Sequence, residues 1–244
     1  MTKSIKIAKM NFIDIIKAIG IYYISLIAVL MVLFSIGVIS DEHNSISGLE
    51  VSTMIFIFVC GLNSFKESFY FTQSNNISRK TFLKGTLLTS LSIGILMAII
   101  DFIINRIMNL FMPSPSLYDM GYTTLRNLNN LGLHSQWVQS NSILTIINTI
   151  LLAFVIYCFA YILGLVINMI YFRADTIMKI AISVIGGGLL ITWISTDLSI
   201  APLKVILGIN APNVYIGILT LFVICGILTW SVYLLIKNAE VGER

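Results

Sequence analysis

The chain has 244 residues, of which 57% are hydrophobic and only 11% are charged, and its formal net charge is +4. Water-soluble domains carry about 25% charged residues, so this composition excludes a soluble globular protein and indicates an integral membrane protein. The small positive charge comes from a one-sided distribution of lysine and arginine and does not indicate a nucleic-acid partner.

Long apolar runs predict the architecture. A helix needs about 20 apolar residues to cross a hydrocarbon core of roughly 30 Å. Six runs reach or approach this length, and they are continuously apolar rather than alternating, which favours helices over barrel strands. We therefore predict an all-α, polytopic membrane protein with one transmembrane domain over residues 1–244. The predicted spans are about 19–40, 51–71, 85–112, 143–172, 176–195 and 214–236.

The first 18 residues precede the first span and are amphipathic. At 100° per residue all of their charged side chains fall within one arc, while Ile5, Phe12 and Ile16 fall on the other side. This pattern predicts an interfacial helix over 1–18 that lies among the lipid headgroups. The alternative is that these residues are simply the polar flank of the first span.

The connection 72–84 is the most distinctive polar segment of the chain. The asparagine pair at 75–76 favours a turn, and Ser78 is a good N-cap for a short helix with three cations. Phe82 and Leu83 follow, and they could pack into a partner or into the membrane interface. The segment predicts a compact, basic, helical elbow between the second and third spans.

The third span combines small residues in its first half with polar residues in its second. Asp101 and Asn105 share a face with the small residues at helical spacing. An aspartate inside a span is costly, which makes Asp101 a candidate for a cargo-facing or gating role. The alternative is that Asp101 and the nearby Arg106 reach out to headgroups or to the next loop.

The fourth span carries Tyr157 and Tyr161 on one face, one turn apart. Two interpretations remain open. These tyrosines either line a path for cargo or pack against a neighbouring helix.

Lysine and arginine set the predicted orientation. Twelve of the 15 fall in the N-terminus, the 66–84 connection, residues 172–179 and the C-terminus. Both termini are therefore predicted to be cytoplasmic, and residues 113–142 form the largest extracellular loop.

Sequence motifs for chemistry are missing from the chain. There is no Gly-x-x-x-x-Gly-Lys-Ser/Thr loop, no His-Glu-x-x-His and no Gly-x-Ser-x-Gly, and the three cysteines are far apart. We expect no catalytic residue, metal site or bound cofactor in this chain, and hence no enzyme activity of its own.

The topology together with the segment 76–85, Asn-Ile-Ser-Arg-Lys-Thr-Phe-Leu-Lys-Gly, resembles the type-2 ATP-binding-cassette (ABC) exporter permeases. The resemblance implies that the elbow is a coupling helix on which a separate ATPase docks. Carried over, Ser78, Arg79, Lys80 and Phe82 would contact that ATPase, which would hold ATP and Mg²⁺. A short element at 199–210 is similar to the extracellular helical insert of the family.

The resemblance also implies the working unit. Two permease subunits, identical or paralogous, would pair with two ATPases in a bacterial cell membrane and export an apolar or amphipathic cargo. The short chain is similar to Gram-positive permeases that export peptides, toxins or bacteriocins. Possible cargo-path or gating residues are Asp101, Asn105, Tyr157 and Tyr161. The alternatives are a membrane sensor or immunity protein that does not transport, and an intramembrane enzyme.

Overall fold

The computed structural model describes residues 2–39, 48–111, 113–123, 139–175, 177–180, 183 and 213–237. Every regular element in these residues is a helix. The helices are α1 (Lys3–Ile39), α2 (Leu49–Asn63), α3 (Lys66–Ser74), α4 (Arg79–Met108), α5 (Leu117–Tyr122), α6 (Ile143–Arg173) and α7 (Val214–Lys237). The predicted all-α class is therefore confirmed for the described part of the chain.

Five segments in the described residues are long and apolar enough to cross a membrane, namely α1, α2 together with α3, α4, α6 and α7. They correspond to five of the six predicted spans. Of the predicted span at 176–195, only the helical residues 177–180 and 183 are described. The predicted element at 199–210 and most of the 113–142 loop also lie outside the described residues.

The first predicted boundary differs from the structure. Residues 1–18 and 19–40 are predicted as two elements, but α1 runs without a break from Lys3 to Ile39. No proline interrupts this stretch, so the backbone ladder continues through the change in polarity. At 1.5 Å per residue α1 is about 55 Å long, which is well beyond the roughly 30 Å of a hydrocarbon core.

The connection between α3 and α4 is a tight turn. Asn76 takes a left-handed conformation with φ 52°, which asparagine tolerates better than most residues. Ser78 then caps α4, because its Oγ accepts a hydrogen bond from the Thr81 backbone N–H at 3.3 Å. The predicted turn and cap are both present. The helix after them is not the short one predicted, since α4 continues for 30 residues to Met108.

Helix α6 is the centre of the bundle and packs against α2, α4 and α7, while α1 packs mainly on α4. Glycines allow the closest of these approaches. A Cβ on Gly61 of α2 would lie 2.3 Å from the Tyr161 carbonyl oxygen, and a Cβ on Gly164 of α6 would lie 2.3 Å from the Phe58 carbonyl oxygen. The two helices cross backbone to backbone, as small residues permit between apolar helices.

Four chain segments meet at one end of the bundle, which we call the elbow end. They are the start of α1, the end of α6, the end of α7 and the elbow, which in the structure includes all of α3 and is taken from here on as residues 66–84. Gly85 contacts Ile7, Phe172 contacts the Phe65 ring, and Arg79 bonds the last residues of α7. The start of α2, the end of α4, helix α5 and the start of α6 lie at the opposite end.

Candidate functional site

Asp101 is the centre of a buried polar cluster in the bundle. Its side chain is 2% exposed, and both carboxyl oxygens accept hydrogen bonds. The Tyr23 hydroxyl donates to Oδ1 at 2.8 Å, and the Tyr157 hydroxyl donates to Oδ2. A carboxyl group in an apolar interior is tolerated only when such donors replace water.

The cluster extends to a fourth helix through Tyr22. The Tyr22 hydroxyl lies 2.9 Å from the Thr53 Oγ1 and donates to the Ser52 Oγ at 3.1 Å. The rings of Tyr22 and Tyr23 meet edge to face at 5.1 Å between centroids. Tyrosines of α1, hydroxyls of α2, the carboxyl of α4 and a tyrosine of α6 therefore form one polar cluster, which we call the Asp101 hub.

The hub corrects one of the two interpretations of Asp101. Asp101 does not reach toward headgroups or toward the next loop, because it is enclosed by helices and bonded to two of them. The alternative holds for Arg106, whose Nη1 donates to the Ser140 carbonyl at 3.3 Å and to Asn141 Oδ1 at 2.8 Å.

A second polar layer lies nearer the opposite end, around Asn105. Its Nδ2 donates to the Ser114 carbonyl at 2.8 Å, and its Oδ1 accepts from Gln139 at 3.1 Å. Asp119 belongs to the same layer and helps to cap α5. Its carboxylate accepts hydrogen bonds from the Ser116 N–H and hydroxyl. Asn105 thus holds the chain that leaves α4 against the chain that enters α6.

Tyr161 is a packing residue. It is fully buried, and its backbone is the surface on which Gly61 of α2 lies. Asp101, Asn105, Tyr157 and Tyr161 are all buried within this chain, and none of them lines the cavities described below. In the described residues, the four residues considered for a cargo path form contacts between helices and do not line a path.

The four elbow residues that are predicted to contact an ATPase have different surroundings. Ser78 and Lys80 are exposed at the surface. Arg79 instead turns back onto α7, where its Nη1 donates to the Ile236 carbonyl at 3.2 Å and to the Lys237 carbonyl. The Arg79 cation thereby satisfies the last carbonyls of a helix, a favoured position for a positive charge.

Phe82, which is predicted to contact the ATPase, is packed inside this chain in the structure. Phe82 is 1% exposed, and its ring meets Phe65 and Phe69 edge to face at 5.8 and 5.4 Å. Phe172 from the end of α6 joins the same cluster. The start of α4 is amphipathic, so its apolar side turns inward against α3 and α6 while the lysines stay at the surface.

Among the cavities of the described residues, two lie at opposite ends of the bundle. One of about 740 Å³ lies at the opposite end beside Arg106, Asn109 and Phe111. The other, of about 470 Å³, lies near the elbow end between α1 and the α2–α3 pair, and includes Asp14 and Glu67. Within the described residues no group of three or more His, Cys, Asp or Glu side chains could hold a metal ion.

Sequence reasoning missed the partners of Asp101. The Tyr22–Tyr23 pair and Thr53 carry no motif, and only the folded bundle brings them to α4. The α5 cap had a local signal that was not used, because Ser116 and Asp119 form the Ser-x-x-Asp spacing of a capping box. No protein-family model, curated protein or solved structure matches this chain.

Proposed function

We propose that this chain is the membrane subunit of an ATP-driven exporter of the type-2 ABC class, in a bacterial cell membrane with both termini in the cytoplasm. The observation that carries the proposal is that the basic elbow contacts the ends of α6 and α7 while its lysines remain exposed. The remaining support is the sequence resemblance of residues 76–85 and the distribution of positive charge.

The elbow has the contacts that a lever needs. Its aromatic cluster joins α3 and α4 to the end of α6, and Arg79 joins it to the end of α7. Lys66, Lys80 and Lys84 are exposed and available to an acidic partner surface. A force on this surface would move packed helix ends together, because tightly packed interfaces shift as units rather than deform continuously.

The energy source would be external. A partner ATPase would hold ATP and Mg²⁺, and a second copy or a paralogue of this chain would complete the membrane unit. Long apolar helix faces remain exposed on α1 and α7, where lipid or that second subunit would lie. With few charges in the spans, an apolar or amphipathic cargo such as a peptide or lipid-like molecule fits best.

The test is co-purification of a nucleotide-binding protein from the native membrane in mild detergent. Lys80→Glu and Lys84→Glu, combined, reverse exposed charges on the elbow without touching its packing. The matched control is Lys17→Glu, an exposed lysine on α1. Arg79 is left unchanged, because its substitution would also free the end of α7.

We expect the elbow variant to lose the ATPase and cargo export, and the Lys17 variant to keep both. Equal ATPase recovery from the elbow variant and the wild type would contradict the docking proposal. A non-transporting membrane sensor is the second candidate, favoured by the burial of Asp101, Tyr157 and Tyr161 away from the cavities. An intact chain that binds its ligand but recovers no ATPase would favour that sensor.

A further inference from the structure

The cavity of about 470 Å³ near the elbow end is a groove between α1 and the α2–α3 pair. Its volume lies within the range of small-molecule sites. Apolar side chains such as Phe56, Val59 and Phe71 form one part of the lining, and Phe71 is 54% exposed on the outside of the bundle. The groove is therefore continuous with the apolar surface that faces lipid.

The groove lies at the depth where a lipid headgroup begins. On α1, Asp14 and Lys17 are the last charged residues before the uncharged stretch 18–39. On the other wall, Lys66 and Glu67 are the first charges after the uncharged stretch 51–65. Charged residues at both ends of apolar helices mark the membrane–water boundary.

The charges of the groove are opposite to those of their surroundings. The lining contains two carboxylates, Asp14 and Glu67, and no lysine or arginine, although the elbow end as a whole is basic. A second groove, which also includes Asp14, is lined by Lys6 and Lys9. A groove with two carboxylates and a groove with two lysines thus adjoin each other, and both include Asp14 and Met10.

Asn11 supplies an independent observation. It lines the groove and is 2% exposed. Its Oδ1 accepts a hydrogen bond from the Ser68 hydroxyl at 2.8 Å, but its Nδ2 has no partner among the described residues. A buried donor without an acceptor costs free energy, and an oxygen of a ligand in the groove would satisfy it.

We infer that this groove binds a zwitterionic phospholipid with a primary ammonium headgroup. The ammonium pairs with Asp14 and Glu67, the phosphate lies toward Lys6 and Lys9, and the Asn11 amide donates to a phosphate or ester oxygen. The acyl chains follow the apolar wall out of the groove. A net cationic peptide fits less well, because the neighbouring lysines would repel it. This inference does not depend on the proposed function.

Native mass spectrometry of the full chain in detergent, with equimolar phosphatidylethanolamine and phosphatidylglycerol, tests the site. The two probes share a phosphate and differ in the ammonium. We expect the wild type to retain phosphatidylethanolamine preferentially. Asp14→Asn combined with Glu67→Gln should reduce that preference about tenfold, which is about 1.4 kcal/mol. Both residues are exposed, so the fold should tolerate the change.

The control is Asp175→Asn, which removes an exposed carboxylate at the same end but outside the groove and should keep the preference. Lys6→Gln with Lys9→Gln should weaken both lipids, because it removes the phosphate side of the site. An unchanged preference in the Asp14/Glu67 variant would overturn the inference. Displacement of phosphatidylethanolamine by a synthetic Lys/Leu helical peptide from the wild type, but not from the Asp14/Glu67 variant, would also overturn the inference. That result would assign the groove to a peptide.

Discussion

Gly164→Ala tests the backbone-to-backbone crossing of α2 and α6, on which the centre of the bundle rests. A Cβ at Gly164 would lie 2.3 Å from the Phe58 carbonyl oxygen and 2.9 Å from the Leu62 nitrogen. Both atoms are backbone, so a side-chain rotation cannot relieve the clash. The helices must separate by roughly 1 Å to restore ordinary contact distances of about 3.5 Å.

The expected cost follows from overpacking. An extra carbon in a packed core typically lowers the free energy of unfolding by about 1–3 kcal/mol. The better helix propensity of alanine offsets at most about 1 kcal/mol of this loss. With the full helix-propensity gain subtracted, we expect a net loss of up to about 2 kcal/mol in the free energy of unfolding. Reversible unfolding in sodium dodecyl sulfate, followed by tryptophan fluorescence, measures it.

Gly226→Ala is the matched control, because the same substitution on α7 meets nothing within 4 Å. It should leave the free energy of unfolding unchanged or raise it by up to about 1 kcal/mol. If Gly164→Ala proved as stable as Gly226→Ala, the two helices would not cross as closely as described, and the reasoning about the bundle centre would fail.

Further substitutions test three other contacts. Tyr157→Phe should lower the free energy of unfolding in the same assay by about 1–3 kcal/mol, because it removes a donor to the buried Asp101; an unchanged value would mean that the bond is not formed. Phe82→Ala should cost about 3–5 kcal/mol as a buried aromatic truncation, whereas the exposed Phe71→Ala should stay within about 0.5 kcal/mol. Arg79→Gln should speed amide hydrogen exchange in the last turn of α7, whose carbonyls it releases; exchange at the wild-type rate would rule out that cap.

Local signals in the sequence predicted local features well. The turn at 75–76 and the Ser78 cap both form as predicted, because asparagine and serine act through their own neighbouring backbone. The continuity of α1 and the length of α4 were not predicted. In both places a change from polar to apolar residues suggested a boundary, but a helix continues through such a change unless proline or a turn sequence stops it.

Contacts between distant segments were beyond the reach of the sequence. Burial of Asp101 was foreseeable from its place in an apolar run, but its donors lie 78 and 56 residues away along the chain. Phe82 is a second residue whose burial depends on distant parts of the chain. Its position beside lysines indicated an exposed face, whereas the inward turn of its ring depends on Phe65 just before α3, Phe69 on α3 and Phe172 on α6.

The last residues of the elbow and Asp101 of the hub lie on one continuous helix. Arg79 and Asp101 lie on the same unbroken helix, α4, separated by roughly 33 Å at 1.5 Å per residue. A displacement of the α4 part of the elbow would therefore be carried along the helix, because no loop lies between it and Asp101. At the hub, Asp101 is bonded to both α1 and α6, so α4 cannot tilt against both neighbours without losing one of these bonds. A movement of α4 that began at the elbow would therefore either carry α1 and α6 with it or break the bond from Asp101 to one of them. The bond that breaks would determine which helix separates from α4.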